Sequence, residues 1–386
     1  MTPAVTAPAP EGDCAATPRY SYGMDFSLDD EQEMIVQTVR RFADRELRGW
    51  AADADRAGAP PDRLASAGGQ LGCFVDAVPA DHDGLLEGRY SHRTRALRGF
   101  ELGRGCAGLA ALLETNVEPA LAVQAWGTPA ARHALFASIG AGGLACFAYD
   151  SRGQLTISDH GSDLRVTGKI GPIPALATAR HVVVATPGLV FLVATDGLAR
   201  QPMTPSGWRA ARWATAAFDA HPIPSEFVLA RGDAAAAATT EILTWARTSL
   251  AARAAGVATA AMEHAESYAR ERVQFGQAIG GFESLIRLRD DALTGAAAAR
   301  LMALHAAWAI DTAAPGAADA ASRARVLAGD TVARATIDAV QIFGGYGFVN
   351  DYPVEKLMRD ARAFEALHGD ERLGRVLSAR LAQGRR

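Results

Sequence analysis

Apolar residues begin to recur with helical spacing at Leu28, Ile35, Val39 and Phe42, which share one face of a 3.6-residue repeat. Ser27 stands just ahead of them with Asp30 three residues later, the pattern of an N-cap and capping box. Helical periodicity continues to about residue 140, with breaks at Pro60-Pro61 and around Val78-Pro79. The texture then changes. Leu144–Tyr149, Leu164–Thr167, Val182–Val184 and Val190–Val193 are short apolar or alternating runs bounded by Gly, Pro or Asp, which predicts strands. No helices alternate with them, so a doubly wound nucleotide fold is excluded in favour of a small antiparallel sheet.

After residue 233 the pattern is helical again. Ala-rich stretches at 234–238 and 296–299 are flanked by Leu, Ile, Met and Trp at helical spacing, as packed helices require. Long helices are predicted at 235–270, 282–312, 317–342 and 353–366, enough for a four-helix bundle. Residues 1–23, rich in Ala and Pro, carry no apolar period and read as a disordered extension. The expected organisation is an N-terminal helical domain (24–142), a small middle β domain (143–232) and a C-terminal helical domain (233–386). The class is α+β, mainly α.

Composition narrows the function. The 386 residues are 49% hydrophobic and 21% charged, with 39 basic and 43 acidic residues and a formal charge of −4. Without a basic stripe, no nucleic-acid partner is expected. Cys14, Cys73, Cys106 and Cys146 lie too far apart for a zinc or dithiol motif, so free thiols and no metal site are expected. No apolar run reaches the ~20 residues of a membrane helix, and no secretory signal opens the chain. A cytoplasmic protein is the expectation.

Three segments carry a resemblance. They are Met24-Asp25-Phe26-Ser27-Leu28 through Glu31-Gln32, then Tyr268-Ala269-Arg270-Glu271-Arg272-Val273-Gln274-Phe275-Gly276-Gln277, and finally Gln341–Phe348 leading to Asp351-Tyr352-Pro353 and Arg359-Asp360-Ala361-Arg362. In this order and spacing, with Gly256 upstream of the second, they resemble the acyl-CoA dehydrogenase family. The resemblance covers residues 24–383 and is weakest in the middle. It implies that family's three-domain fold and an FAD cofactor. It also implies that Arg272, Gln274 and Phe275 reach an FAD held mainly by a neighbouring subunit. Gln341, Gly344 and Gly345 would let backbone approach its adenosine end, since glycine has no Cβ in the way. Gly369 and Asp370 are assigned to the cofactor on the same ground.

The sequence also departs from the family. A Thr-Glu pair that the family keeps near the flavin is replaced in Phe147-Ala148-Tyr149-Asp150-Ser151. The loop expected to carry a Trp reads Gly168-Lys169-Ile170-Gly171-Pro172-Ile173-Pro174, and Gly161-Ser162-Asp163 reads as a turn. The usual catalytic Glu, eight residues after Asp360, is His368. A minority site ten residues before Gly256 is Ala246, although Arg247 matches an arginine kept beside the base. The resemblance therefore implies α,β-desaturation of an acyl thioester, on CoA or a carrier protein, with His368 as substituted base and Arg247 beside it. Two other functions are compatible. One is a non-catalytic subunit that completes the FAD site of a paralogous dehydrogenase in a heteromer. The other is a flavin-dependent monooxygenase on the same fold. Either a homo-oligomer or that heteromer is expected.

Overall fold

The computed structural model describes residues 24–160, 163–365 and 367. Helix α1 (Asp30–Phe42) passes through a π-helical turn at 43–47 into α2 (Arg48–Ala57), which Gly58 ends in the left-handed conformation. Its cap corrects the sequence reading. Asp29, not Ser27, accepts the Gln32 N–H at 2.8 Å, while the Ser27 hydroxyl donates to Asp25. A carboxylate two residues nearer the first turn also complements the helix dipole, which a serine cannot. Helices α3 (Arg63–Gln70), α4 (His92–Gly105), α5 (Ala107–Leu113), α6 (Val117–Trp126) and α7 (Pro129–Gly140) follow. Thr128 caps α7 ahead of Pro129, whose missing N–H is no loss at a first helical position.

The middle region is two four-stranded sheets. One contains β1 (Ala145–Tyr149), β4 (His181–Ala185), β5 (Leu189–Ala194) and β8 (Val228–Arg231) in the order β1-β4-β5-β8. The other contains β2 (Leu155–His160), β3 (Asp163–Ile173), β6 (Ala199–Pro202) and β7 (Ala214–Ile223) in the order β2-β3-β7-β6. All pairs are antiparallel except β1 with β4, where Ala145 lies opposite His181. Strands β2, β6, β7 and β8 escaped the sequence reading because polar, Ala and Pro positions dilute their alternation. In β4, Val182 and Val184 face the second sheet while Val183 faces helices α6 and α7. All three are therefore buried, and the run has no polar face.

The C-terminal bundle is formed by α8 (Gly232–Glu271), α9 (Glu283–Asp311), α10 (Ala317–Phe343) and α11 (Pro353–Glu365). Small residues line its seams, with Ala255, Ala299, Ala306, Ala328 and Ala335 fully buried. Helix α8 also crosses α4 backbone to backbone: a Cβ on Gly256 would stand 2.1 Å from the carbonyl oxygen of Phe100. Helix α9 is long and apolar enough by composition to cross a membrane, a feature that Arg and His interruptions hid in the sequence, and its alanine stripe packs inside the bundle.

Candidate functional site

A cleft of about 550 Å³ opens where α8 and α10 end, lined by Tyr268, Arg272, Gln274, Ile279, Gly344, Gly345 and Tyr346 among others. Its floor is aromatic, with the rings of Tyr268 and Phe343 stacked at 4.2 Å. After α8 the chain makes a two-stranded hairpin, β9 (Val273–Gln274) with β10 (Gln277–Ala278). Phe275 and Gly276 form its tip, both at positive φ (50° and 84°), as a two-residue turn of the mirror-image type requires. Arg272, at the first bend of this hairpin, sits 5.8 Å from the Tyr346 ring.

The cleft lies at the C-terminal ends of two helices, where exposed carbonyls repel anions. An anionic ligand there depends on the charge of Arg272. Gly344 leaves α10 at φ 59°, and an added Cβ on Gly344 or Gly345 would meet nothing within 4 Å. Backbone there is open to a ligand. A guanidinium, a side-chain amide and unobstructed backbone suit the pyrophosphate-bearing cofactor that the resemblance implies.

Of the predicted residues, Arg272, Gln274, Gly344 and Gly345 come together here. Phe275 does not line the cleft. It is 95% exposed, touching Phe282 edge-on at 6.2 Å. Gln341 is exposed on the last turn of α10, where its carbonyl accepts the Gly344 N–H. Tyr268 and Tyr346, both within the quoted motifs, were not assigned. Tyr268 precedes Arg272 by one helical turn, which was the available signal. His368, Gly369 and Asp370 lie outside the described residues.

Arg247 is elsewhere. It is buried near the middle of α8, 25 residues before Arg272, or about 37 Å along the helix at 1.5 Å per residue. Burial pushes its guanidinium down to about 10, Tyr149 opposes that shift and Arg325 reinforces it. Arg325 is itself buried and donates to the carbonyl of Phe364, near the end of α11. Arg247 and the last turns of α11 therefore face one region of the interior, well along α8 from the cleft.

The β domain contributes two features. Asp150 accepts the N–H groups of Gln154 and Leu155 at 2.9 Å each, so its carboxylate closes a turn. The expected loop at 168–174 has no Trp, and all of it but Pro174 belongs to β3. Instead Trp208, between β6 and β7, packs edge-on against Phe364 at 4.7 Å.

The N-terminal domain model of acyl-CoA dehydrogenases matches residues 29–143 and the C-terminal domain model matches residues 235–381. A probable acyl-CoA dehydrogenase of Bacillus subtilis is 29% identical, aligned over 92% of this chain and 99% of its own. A short-chain-specific acyl-CoA dehydrogenase of Clostridium acetobutylicum is 27% identical, over 92% and 98%. Another B. subtilis acyl-CoA dehydrogenase reaches 40% identity over 138 residues, 36% of each chain. Among solved structures, butyryl-CoA dehydrogenase of Megasphaera elsdenii superposes with a TM-score of 0.84 at 24% identity, covering 92% of this chain and 99% of that one.

Proposed function

This chain belongs to the acyl-CoA dehydrogenase family, and on that premise we propose that it is an FAD-dependent dehydrogenase of an acyl thioester. The carrying observation is the cleft at the ends of α8 and α10, where Arg272, Gln274, Gly344 and Gly345 meet. Arg272 would pair with the cofactor's pyrophosphate and Gln274 would hydrogen-bond it, while the two glycines present backbone without a Cβ. Arg247 stands about 37 Å along α8 from Arg272. One cofactor does not serve two groups so far apart on one helix, which supports an oligomer in which Arg272 reaches across to a neighbour's FAD. The exposed side chains of Phe275, Phe348 and Val273, on and beside the hairpin, favour such an assembly.

When bound, FAD supplies the acceptor for the hydride that leaves the substrate's β-carbon. This chain's share is the α-proton. His368 is the residue assigned to it, because a neutral imidazole with an ordinary pKa near ~6.5 accepts a proton at neutral pH. In the place beside the base that the resemblance gives it, Arg247 would disfavour the imidazolium and keep the base form populated. The relatives named above act on acyl-CoA, which supports the thioester class.

The test is anaerobic flavin reduction by acyl-CoA thioesters in the wild type, His368→Ala and His368→Glu. Loss of reduction in the alanine variant with FAD still bound, and activity in the glutamate variant, are expected. Equal inertness of all three, with activity appearing only when a paralogous subunit is added, replaces this reading with the partner-subunit one. The replacement of the usual carboxylate by His368 is the observation that favours that second reading.

A further inference from the structure

Two of the arginines around the end of α8 are neutralised. Glu266 accepts Arg270 at 2.7 Å and faces Arg289 at 3.7 Å, and Arg289 also holds Asp290 at 2.8 Å. Arg272 differs. Its side chain has no hydrogen bond or ion pair among the described residues, and its guanidinium lies over the ring of Tyr346, 5.8 Å from the centroid. Both residues line the cleft.

The ring under the guanidinium is fixed by its surroundings. Tyr346 sits on the 3₁₀ turn Gly344–Phe348 that follows α10. Gly347 pins that turn to the helix, because a Cβ there would stand 2.5 Å from the carbonyl oxygen of Val340. Tyr268 and Tyr352 meet the Tyr346 ring edge to face at 6.4 and 5.7 Å, and Phe343 stacks on Tyr268 at 4.2 Å. The ring therefore stands on an aromatic support, although it is itself 47% exposed.

A long, exposed arginine samples many rotamers, and fixing it for a ligand costs entropy. A carboxylate partner could fix it, but would cancel its charge and occupy its N–H fork. An aromatic ring takes only the face of the guanidinium and leaves the charge and the N–H edge free. That free charge matters at this cleft, because the carbonyl ends of α8 and α10 repel anions. Resting on the FAD reading above, we propose that Tyr346 is a positioning residue. Its ring holds Arg272 in the pose that meets the cofactor's pyrophosphate.

The test is a double-mutant cycle, read by flavin fluorescence as FAD is titrated into the FAD-depleted full-length protein. Tyr346→Leu should raise the Kd for FAD about two- to fivefold, the worth of a cation–π contact at an exposed site. Tyr346→Phe and Tyr346→Trp keep a ring and should stay near wild type. In an Arg272→Met background, Tyr346→Leu should cause no further loss. High salt should also shrink the gap between wild type and Tyr346→Leu, because it screens the Arg272–phosphate contact but not direct stacking on the cofactor. The salt arm decides if Arg272→Met binds FAD too weakly to titrate. Unchanged affinity in Tyr346→Leu, or a phenylalanine variant as weak as the leucine one, overturns the proposal. So does a loss that persists without Arg272 or at high salt, or a leucine variant that sediments as smaller species. Each of these leaves the FAD reading in place. A wild type that takes up no FAD sinks that reading and this proposal together.

Discussion

Asp360 on α11 accepts the backbone N–H of Trp208 at 2.7 Å, joining the β6–β7 connection to the last described helix. Its other oxygen takes the Lys356 ammonium at 2.5 Å, one turn earlier. Both residues are buried. Burial alone would lower the Lys356 pKa, but Asp360 and then Cys106 raise it, so the lysine stays charged. The Arg-Asp-Ala-Arg motif thus has a structural part: Arg359 adds a two-pronged pair with Asp55 on α2 at 2.7 and 3.2 Å.

Asp360→Ala should therefore cost about 3–5 kcal/mol, because it leaves a buried lysine without its counter-charge. Asp360→Ala combined with Lys356→Met should recover most of that loss. Urea denaturation of both variants measures it, and equal stability of the single and double variants would show that the pair is not coupled.

Arg272→Ala removes the cation that offsets two helix C-termini at the cleft. FAD should be lost on gel filtration, with a Kd raised at least tenfold, while far-ultraviolet circular dichroism stays unchanged because Arg272 is exposed. Arg272→Lys should rescue only partly, since an ammonium lacks the two-pronged geometry.

Phe275 pays for its position twice, being 95% exposed and left-handed at φ 50°. Asn tolerates that backbone better than a bulky aromatic. Phe275→Asn should raise the melting temperature of a dissociated subunit slightly and shift the assembly toward smaller species. Sedimentation velocity reads the shift. An unchanged distribution would place the interface elsewhere.

His92 lies between the rings of Tyr90 and Trp245, and burial, with Arg95 and Arg89 assisting, pushes it down to about 3. The unfolded histidine titrates near ~6.5. Above that value it is neutral in both states and stability is unaffected. As pH falls from about 6.5 toward 3 the unfolded chain binds a proton that the folded one refuses, so stability is lost. The loss reaches about 2 kcal/mol by pH 5. His92→Phe keeps the ring and should flatten the fall in stability between pH 7 and pH 5. A wild-type slope retained in this variant would assign the loss to other groups.

The chain itself carries whatever depends on neighbours in sequence. The helical runs of the C-terminal half end within three residues of their predicted bounds, because helix propensity and i, i+4 spacing are local. Arg272 and Gly344 could be named from motifs, though not the cleft between them. Only the folded chain decides which distant groups meet. Glu114 and Ser249 are 135 residues apart and share a hydrogen bond, and Trp208 finds Asp360 across 152. Nothing local marks such pairs. Arg95 and Arg98, at i, i+3 spacing on a charge-rich helix, read as surface residues until α5, α6 and α8 close over them. Buried charge is tolerated only where packing delivers its partner, and packing is a property of the whole chain.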